Sequence, residues 1–144
     1  MKHSITFILI VVAVLLNVSA VDGQLKKAGD LLDSQFLPVD EAFILSVEVV
    51  DQLVELRWDI APGHYLYRSK LDFEFDSVAQ SPEITPGESR IDEYFGKVEV
   101  YVGELVVNLA IPEDYNEKME LRITYQGCAD AGLCYTPQTR AFPL

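Results

Sequence analysis

Hydrophobic and polar side chains alternate along most of the chain after residue 34, a pattern typical of strands with one buried face. In LVELRWDI every second residue is apolar, which places on one face Val54, Leu56, Trp58 and Ile60. FILSVEVV, just upstream, has the same period and groups Phe43, Leu45, Val47 and Val49. Asp51-Gln52 separates the two segments, so we expect a hairpin with Trp58 in the core.

Five further segments repeat the two-residue period: LDFEF, KVEVYV, ELVVNLAI, MELRITY and TRAFPL. The second of them should place Val98, Val100 and Val102 on a common face. Gly103, Pro112 and the stretch SPEITPGES separate the segments as turns. No window shows the apolar stripe of an amphipathic helix. Seven or eight short strands at near-regular spacing therefore predict an all-β fold, an antiparallel β-sandwich.

The first twenty residues predict a signal peptide rather than a part of the fold. Lys2 and His3 precede ITFILIVVAVLL, an apolar run that is too short to span a bilayer as a helix. Val18-Ser19-Ala20 is a cleavage motif, and we expect cleavage between residues 20 and 23. The alternative interpretation of the same run is a core helix or an uncleaved anchor.

The rest of the chain has the size and the charge of one acidic, exported domain. We expect residues 21–34 to form a loose N-terminal arm and residues 35–144 to fold as one domain, with no membrane span left after cleavage. The net charge of −12 argues against nucleic acid as a partner, because the phosphate backbone is also negative. The charge does not indicate a substrate.

The stretch YQGCADAGLCY contains both cysteines of the chain, Cys128 and Cys134. In an oxidising compartment the default interpretation is a structural disulfide. However, closing a loop of about seven residues lowers the entropy of the unfolded chain so little that the disulfide would stabilise the fold by only about 2 kcal/mol. Asp130 would raise the pKa of a neighbouring thiol, since a negative charge disfavours the thiolate. The small residues around the cysteines leave the sulfurs accessible to an exchange partner. They are Gly127, Ala129, Ala131 and Gly132.

The spacing of the cysteines leaves both interpretations open, but their sequence context is more specific. YQGCADAGLCY occurs together with QFLPVDEAF, HYLYRSKL and DEYFGKVEVY, in the order 35–43, 64–71, 92–101 and 125–135. These four motifs resemble the N-terminal periplasmic domain of the thiol:disulfide interchange protein DsbD, over nearly all of the chain after the signal peptide. The resemblance implies an immunoglobulin-like β-sandwich in the periplasm, with a cap loop over a redox-active cysteine pair.

The resemblance also implies roles for individual residues. Cys128 and Cys134 would be the redox pair of a thiol:disulfide oxidoreductase, with Cys134 forming the mixed disulfide. Tyr65 and Tyr67 would lie beside the pair. The cap loop would consist of Asp92, Glu93, Tyr94, Phe95 and Gly96. Electrons would come from the thioredoxin-like domain of DsbD, or an equivalent donor, and pass to periplasmic disulfide isomerases and the cytochrome c maturation thioredoxin.

The chain departs from the family pattern at the cap and after the second cysteine. Tyr94 stands where the family usually has phenylalanine, and Phe95 follows where tyrosine is common, so the two aromatic residues are exchanged. After Cys134 the chain reads Tyr135-Thr136-Pro137-Gln138, where the family often carries a second proline and an acid. The sequence therefore does not indicate whether the ring of Tyr94 or that of Phe95 shields the sulfurs.

Two other functions use the same residues. A non-catalytic immunoglobulin-like binding or assembly module would need the Cys128–Cys134 bridge only to stiffen a loop. A copper-binding module would need both thiols and His64, but a lone histidine beside a tyrosine-rich strand is more often packed than metal-bound. We therefore predict no metal and no cofactor.

Overall fold

The computed structural model describes residues 36–113 and 118–144. The predicted signal peptide, its cleavage site and the arm at 21–34 lie outside the described residues, so the boundary at residue 35 stays a prediction. Within the described ranges, no helix is long and apolar enough to cross a membrane.

The described residues form twelve strands, one short helix and one 3-10 turn. The helix α1 is Val39–Ala42, and the 3-10 turn is Arg68–Lys70. The strands are β1 Phe43–Val50, β2 Leu53–Ile60, β3 His64–Tyr67, β4 Asp72–Phe75, β5 Val78–Gln80, β6 Glu88–Asp92, β7 Gly96–Tyr101, β8 Glu104–Ala110, β9 Glu120–Tyr125, β10 Gly127–Ala129, β11 Leu133–Cys134 and β12 Gln138–Pro143.

The strands pair in three antiparallel sheets, which confirms the predicted all-β, immunoglobulin-like sandwich. The first sheet has the order β1-β2-β8, the second β11-β10-β3-β7-β6 and the third β12-β9-β4-β5. Asp51 adopts a left-handed conformation with φ 55° in the turn between β1 and β2, so the predicted hairpin is confirmed. The second sheet carries both cysteines and thus the candidate site.

The core contains the inward faces that the alternation predicts. Val54, Leu56 and Trp58 of β2 are fully buried, and the Trp58 ring lies edge-on to Phe73 and Tyr125 at centroid distances of 6.4 and 5.8 Å. The buried indole Nε1 of Trp58 has no hydrogen-bond partner, so its contribution is packing alone. A core of this kind supports the sheet that holds the cysteines.

The alternation overestimates burial at strand ends and misses the shortest elements. Val49 is 54% exposed near the end of β1, and Val102 is 38% exposed just after the end of β7. The helix α1, strand β6 and the paired strands β10 and β11 were not predicted. They span two to five residues each, which is too short for a periodic signal.

Candidate functional site

Cys128 and Cys134 lie directly opposite one another in a small hairpin. They are register partners on β10 and β11, with Cα atoms 4.0 Å apart, and their sulfurs form a disulfide. On its other side β10 pairs with β3, which places Tyr65 opposite Cys128. The disulfide therefore belongs to a continuous sheet.

The hairpin depends on two glycines. Gly132 has φ +93° in the turn, and its N–H donates to the carbonyl oxygen of Ala129 at 2.9 Å. Gly127 approaches β3 so closely that a Cβ on it would lie 2.3 Å from the Tyr65 carbonyl oxygen and 2.5 Å from the Phe43 ring. Only glycine fits at position 127 without moving the backbone.

The two sulfurs differ in accessibility. Cys128 is 1% exposed and packs with Tyr65, Tyr67 and Val100, whereas Cys134 is partly buried at the edge of this cluster. In-line attack by a thiolate needs access to the sulfur that is attacked. Cys134 is therefore the more exposed cysteine of the pair.

A buried carboxylate and two tyrosines lie against the sulfurs. The hydroxyls of Tyr65 and Tyr67 both donate to Asp92 Oδ2, at 2.8 and 2.7 Å. The Tyr67 oxygen is 3.2 Å from Cys128 Sγ and 3.9 Å from Cys134 Sγ. Because its proton goes to Asp92, the Tyr67 oxygen can accept a hydrogen bond from a Cys128 thiol.

The protonation states of this group follow from its contacts. Burial by itself would raise the pKa of the Asp92 carboxyl, but hydrogen bonds from Tyr67, Tyr65 and two backbone N–H groups outweigh it and hold that pKa below its ordinary value. Burial, followed by the hydrogen bonds with Tyr65 and Asp92, raises the pKa of Tyr67 well above its ordinary value. Asp92 is thus charged and both tyrosines are neutral at neutral pH.

The cap loop is the turn between β6 and β7, and Asp92 shapes it. Asp92 Oδ1 accepts hydrogen bonds from the backbone N–H groups of Tyr94 and Phe95, at 2.8 and 2.9 Å. Gly96 closes the turn with φ +72° and pairs with Asp92. One carboxylate therefore holds the cap with one oxygen and the tyrosines with the other.

The two aromatic residues of the cap make different contacts. The Phe95 ring lies edge-on to Tyr67 at a centroid distance of 5.2 Å, with Lys70 Nζ 4.5 Å above it. The Tyr94 hydroxyl donates to the carbonyl oxygen of Gly132 at 3.0 Å. Phe95 thus covers the tyrosine that touches both sulfurs, and Tyr94 ties the cap to the turn between the cysteines. Glu93 also faces this turn, 4.0 Å from a Cβ built on Gly132.

Asp130 is held by a residue that the sequence did not single out. Its Oδ1 pairs with Arg90 at 2.6 Å, and the same guanidinium lies 4.5 Å from the centroid of the Tyr65 ring. The charge of Asp130 is thus balanced, and the carboxylate closest to the sulfur network is Asp92. Strand β6, which carries Arg90, gave no periodic signal in the sequence.

His64 is packed, as predicted, and does not face the sulfurs. It is 2% exposed, and its ring nitrogens contact the Pro62 carbonyl oxygen at 3.1 Å and the Tyr135 hydroxyl at 3.2 Å. The part of the chain that the structure describes holds no group of three or more His, Cys, Asp or Glu residues arranged for a metal.

A family model described as the N-terminal part of the thiol:disulfide interchange protein DsbD matches residues 33–144. Thiol:disulfide interchange protein DsbD 2 of Pseudomonas aeruginosa is 46% identical over 112 residues, which are 77% of this chain and 18% of that protein. DsbD of Photorhabdus laumondii is 35% identical over 144 residues, which are 99% of this chain and 24% of that protein. The chain thus spans about a fifth to a quarter of the length of these curated relatives.

Two solved structures share the fold. The reduced N-terminal domain of Neisseria meningitidis DsbD has a TM-score of 0.70 and 34% identity, covering 78% of this chain and 91% of that one. The same organism's complex between the DsbD N-terminal and PilB N-terminal domains matches with a TM-score of 0.65 and 35% identity, covering 74% of this chain and 85% of that one. The family model, the relatives and the structures agree: the chain belongs to the family of DsbD N-terminal domains.

Proposed function

We propose that this domain performs thiol-disulfide exchange in the periplasm, passing reducing equivalents through a reversible Cys128–Cys134 disulfide to oxidised thioredoxin-fold proteins. It acts as a protein-disulfide reductase. The observation that supports this most directly is the unequal setting of the sulfurs, with Cys134 reachable at the cap and Cys128 buried against Tyr67. A bridge that only stiffened a loop would need neither feature.

The exchange begins when the thiolate of a reduced partner attacks Cys134 Sγ. A new sulfur-sulfur bond forms between partner and domain, the Cys128–Cys134 bond breaks, and Cys128 leaves as a thiolate that takes up a proton. The second cysteine of the partner, as a thiolate, then attacks the partner sulfur that is bonded to Cys134. This forms the partner's disulfide and releases Cys134 as a thiolate. The partner is oxidised by two electrons, and the domain holds two thiols.

The reduced domain passes the electrons on by the reverse chemistry. The Cys134 thiolate attacks the disulfide of an acceptor, and the Cys128 thiolate resolves the mixed disulfide. The Tyr67 oxygen, 3.2 Å from Cys128 Sγ, favours the protonated form of Cys128, because its own proton is bound by Asp92. In this proposal Asp92, Tyr65 and Tyr67 are positioning residues.

The cap must move before either step. Phe95 packs over Tyr67, and the Tyr94 hydroxyl bonds to Gly132 within the turn that joins the cysteines. Gly96, at φ +72° with open space around its Cα, gives the loop a hinge. Shielding of this kind protects the sulfurs from small thiols and favours a protein partner that can displace the loop.

The partners follow from the family. The Neisseria complex shows that a DsbD N-terminal domain associates with the PilB N-terminal domain. For this chain we propose the thioredoxin-like domain of DsbD, or an equivalent protein, as the electron donor. We propose periplasmic disulfide isomerases and the cytochrome c maturation thioredoxin as acceptors.

The proposal is tested by trapping mixed disulfides. Reduced Cys128→Ser and Cys134→Ser variants are incubated with the oxidised, disulfide form of the PilB N-terminal domain of Neisseria meningitidis, and the products are separated on non-reducing gels. We expect Cys128→Ser to accumulate a mixed disulfide, because the resolving thiol is gone, and Cys134→Ser to form none. The double variant is the control for background association.

The reduction potential of the wild-type pair separates exchange from a structural role. Structural bridges generally lie below about −300 mV, and exchange-active pairs at about −120 to −270 mV. Equilibration with glutathione buffers should place Cys128–Cys134 in the second range. A potential below −300 mV, together with equal and slow reactivity of both single variants, would favour the binding module instead.

A further inference from the structure

A cavity of about 500 Å³ opens beside the cap, with Phe95 as part of its lining. Three of its seven lining residues are basic, namely Arg68, Lys70 and Lys97, and one is a carboxylate, Glu99. Its position is distinctive because whatever fills it touches the loop that covers the disulfide.

The carboxylate in this cavity is already occupied. Glu99 Oε1 accepts a hydrogen bond from Arg68 at 2.8 Å and another from the Gly87 N–H at 2.6 Å. These two contacts lower the pKa of Glu99, with the backbone N–H the larger cause, so the group stays charged and balances Arg68. The two lysines then give the cavity its net positive charge.

Lys70 and Lys97 contrast with the other cations of the described chain. Five arginines form ion pairs with carboxylates, namely Arg57, Arg68, Arg90, Arg122 and Arg140. Lys70 contacts an aromatic ring, and neither it nor Lys97 has a carboxylate partner among the described residues. In a chain of net charge −12, unpaired cations beside the redox pair form a local positive surface.

The acids of the cap do not cancel this surface. Asp92 is 6% exposed and directs both oxygens inward, to the tyrosines and the backbone of the cap. Glu93 lies near the turn at Gly132 and is not among the residues that line the cavity. Within the cavity itself, Lys70 and Lys97 therefore face only one carboxylate, that of Glu99, which is paired with Arg68.

Lys70 also links this surface to closure of the cap. Its ammonium lies 4.5 Å from the centroid of the Phe95 ring, a favourable cation-π distance. A carboxylate that binds Lys70 competes with the ring for the same charge. Because the Phe95 ring lies on Tyr67, weakening its hold by Lys70 favours displacement of the cap.

We propose that Lys70 and Lys97 are the docking contacts for a thioredoxin-fold partner that carries carboxylates beside its reactive cysteine. The inference rests on the proposed exchange function and adds the chemistry that selects the partner. Carboxylates of the partner enter the cavity, pair with the lysines and release Phe95 as the reactive thiolate reaches Cys134. The charges act in the encounter and are screened by salt.

Three reduced cysteine peptides of equal length, flanked by aspartates, by serines or by lysines, are suitable probes. Each is added in large excess to the oxidised wild-type domain, and loss of the intramolecular disulfide, to the mixed disulfide and then to the dithiol, is followed by mass spectrometry after acid quenching. Rates are divided by the rate of the same peptide with 2-hydroxyethyl disulfide, which removes differences in thiol pKa. We expect the aspartate peptide to react about tenfold faster than the lysine peptide at low salt, and less than about twofold faster at 0.5 M salt.

The matched variants separate local charge from total charge. Lys70→Gln/Lys97→Gln should abolish or reverse the preference for the aspartate peptide. Arg122→Gln/Arg140→Gln removes the same charge from the third sheet and should keep at least about half of the preference. Lys97→Gln alone leaves the Lys70 contact with Phe95 intact and should lower the preference without speeding the serine peptide.

Two failures are distinguishable. If the wild type shows no charge preference, or if Lys70→Gln/Lys97→Gln speeds all three peptides equally, the docking inference is overturned and Lys70 only fastens the cap. If no peptide reacts and the PilB N-terminal domain forms no mixed disulfide with Cys128→Ser, the exchange function itself fails.

Discussion

Replacing Phe95 by alanine should open the cap and speed reaction of the disulfide with a small reductant. The substitution removes the edge-on contact with Tyr67 and the ring that carries Lys70. An aromatic pair contributes about 0.5–1.5 kcal/mol, and an exposed cation-π contact about 0.5–1 kcal/mol. The closed loop should therefore lose about 1–2.5 kcal/mol.

That loss converts directly into a rate if the sulfurs react only from the open loop. Since 1.4 kcal/mol is a factor of ten, the open fraction and the rate should rise about 5- to 60-fold. Tyr94→Phe removes only a hydroxyl that bonds to Gly132 at the surface, so its effect should be smaller, at most about fivefold. Phe95 is thus expected to be the shielding ring.

The assay is reduction of the oxidised protein by dithiothreitol, quenched with a maleimide of high mass and read on a gel. Val78→Ala is the matched control, because Val78 is 64% exposed and lies on β5 in the third sheet. Circular dichroism checks that each variant is folded. A Phe95→Ala rate within twofold of the wild type, in a folded protein, would refute the argument that this ring closes the site.

Three further predictions concern stability and are checked by urea unfolding. Asp92→Asn should lose about 1–2 kcal/mol at neutral pH. Because the folded-state pKa of Asp92 is lowered, its contribution is present above the ordinary carboxyl pKa of about 3.9 and is lost as the pH falls below that value through the lowered folded-state pKa, so the two proteins should converge in strong acid. Reduction of Cys128–Cys134 should cost about 2 kcal/mol and leave the sandwich folded, since the closed loop is short; unfolding at room temperature would contradict this. Gly127→Ala should destabilise by about 3 kcal/mol, because its methyl group would meet a backbone carbonyl that cannot yield; a change below about 0.5 kcal/mol would show that the strand shifts freely.

The long strands of this fold are predictable from the sequence because each buries one face. β2 and β8 follow their two-residue periods, from Val54 to Ile60 and from Leu105 to Leu109. The short strands β6, β10 and β11 are not, since two to five residues carry too little periodic signal and their pairing, including that of β10 with the distant strand β3, defines them. The two-residue period likewise does not predict which strands pair with which, so the order of the strands in the three sheets could not be predicted.

The residues of the candidate site could be predicted only from the four sequence motifs that resemble the family. They pointed to Asp92 and the two tyrosines, which the structure brings within hydrogen-bonding distance of one another. The ion pair of Arg90 with Asp130 and the lysines beside Phe95 were missed. The sequence shows that these residues are charged, but it does not show which side chains lie next to them in the fold. The order of the exchanged cap aromatics gave no indication of which ring lies on Tyr67.

The backbone around the cysteines is held by hydrogen bonds that do not involve sulfur. β10 pairs with β3, the Asp130 N–H donates to the Gly63 carbonyl, and the Tyr135 N–H donates to the Gly127 carbonyl. In the proposed exchange, breaking and remaking the disulfide therefore needs little rearrangement of the hairpin that carries the cysteines, and the main movement is that of the cap. On this proposal the domain acts as a relay, and the relative potentials and supply of its donors and acceptors set the direction in which electrons flow.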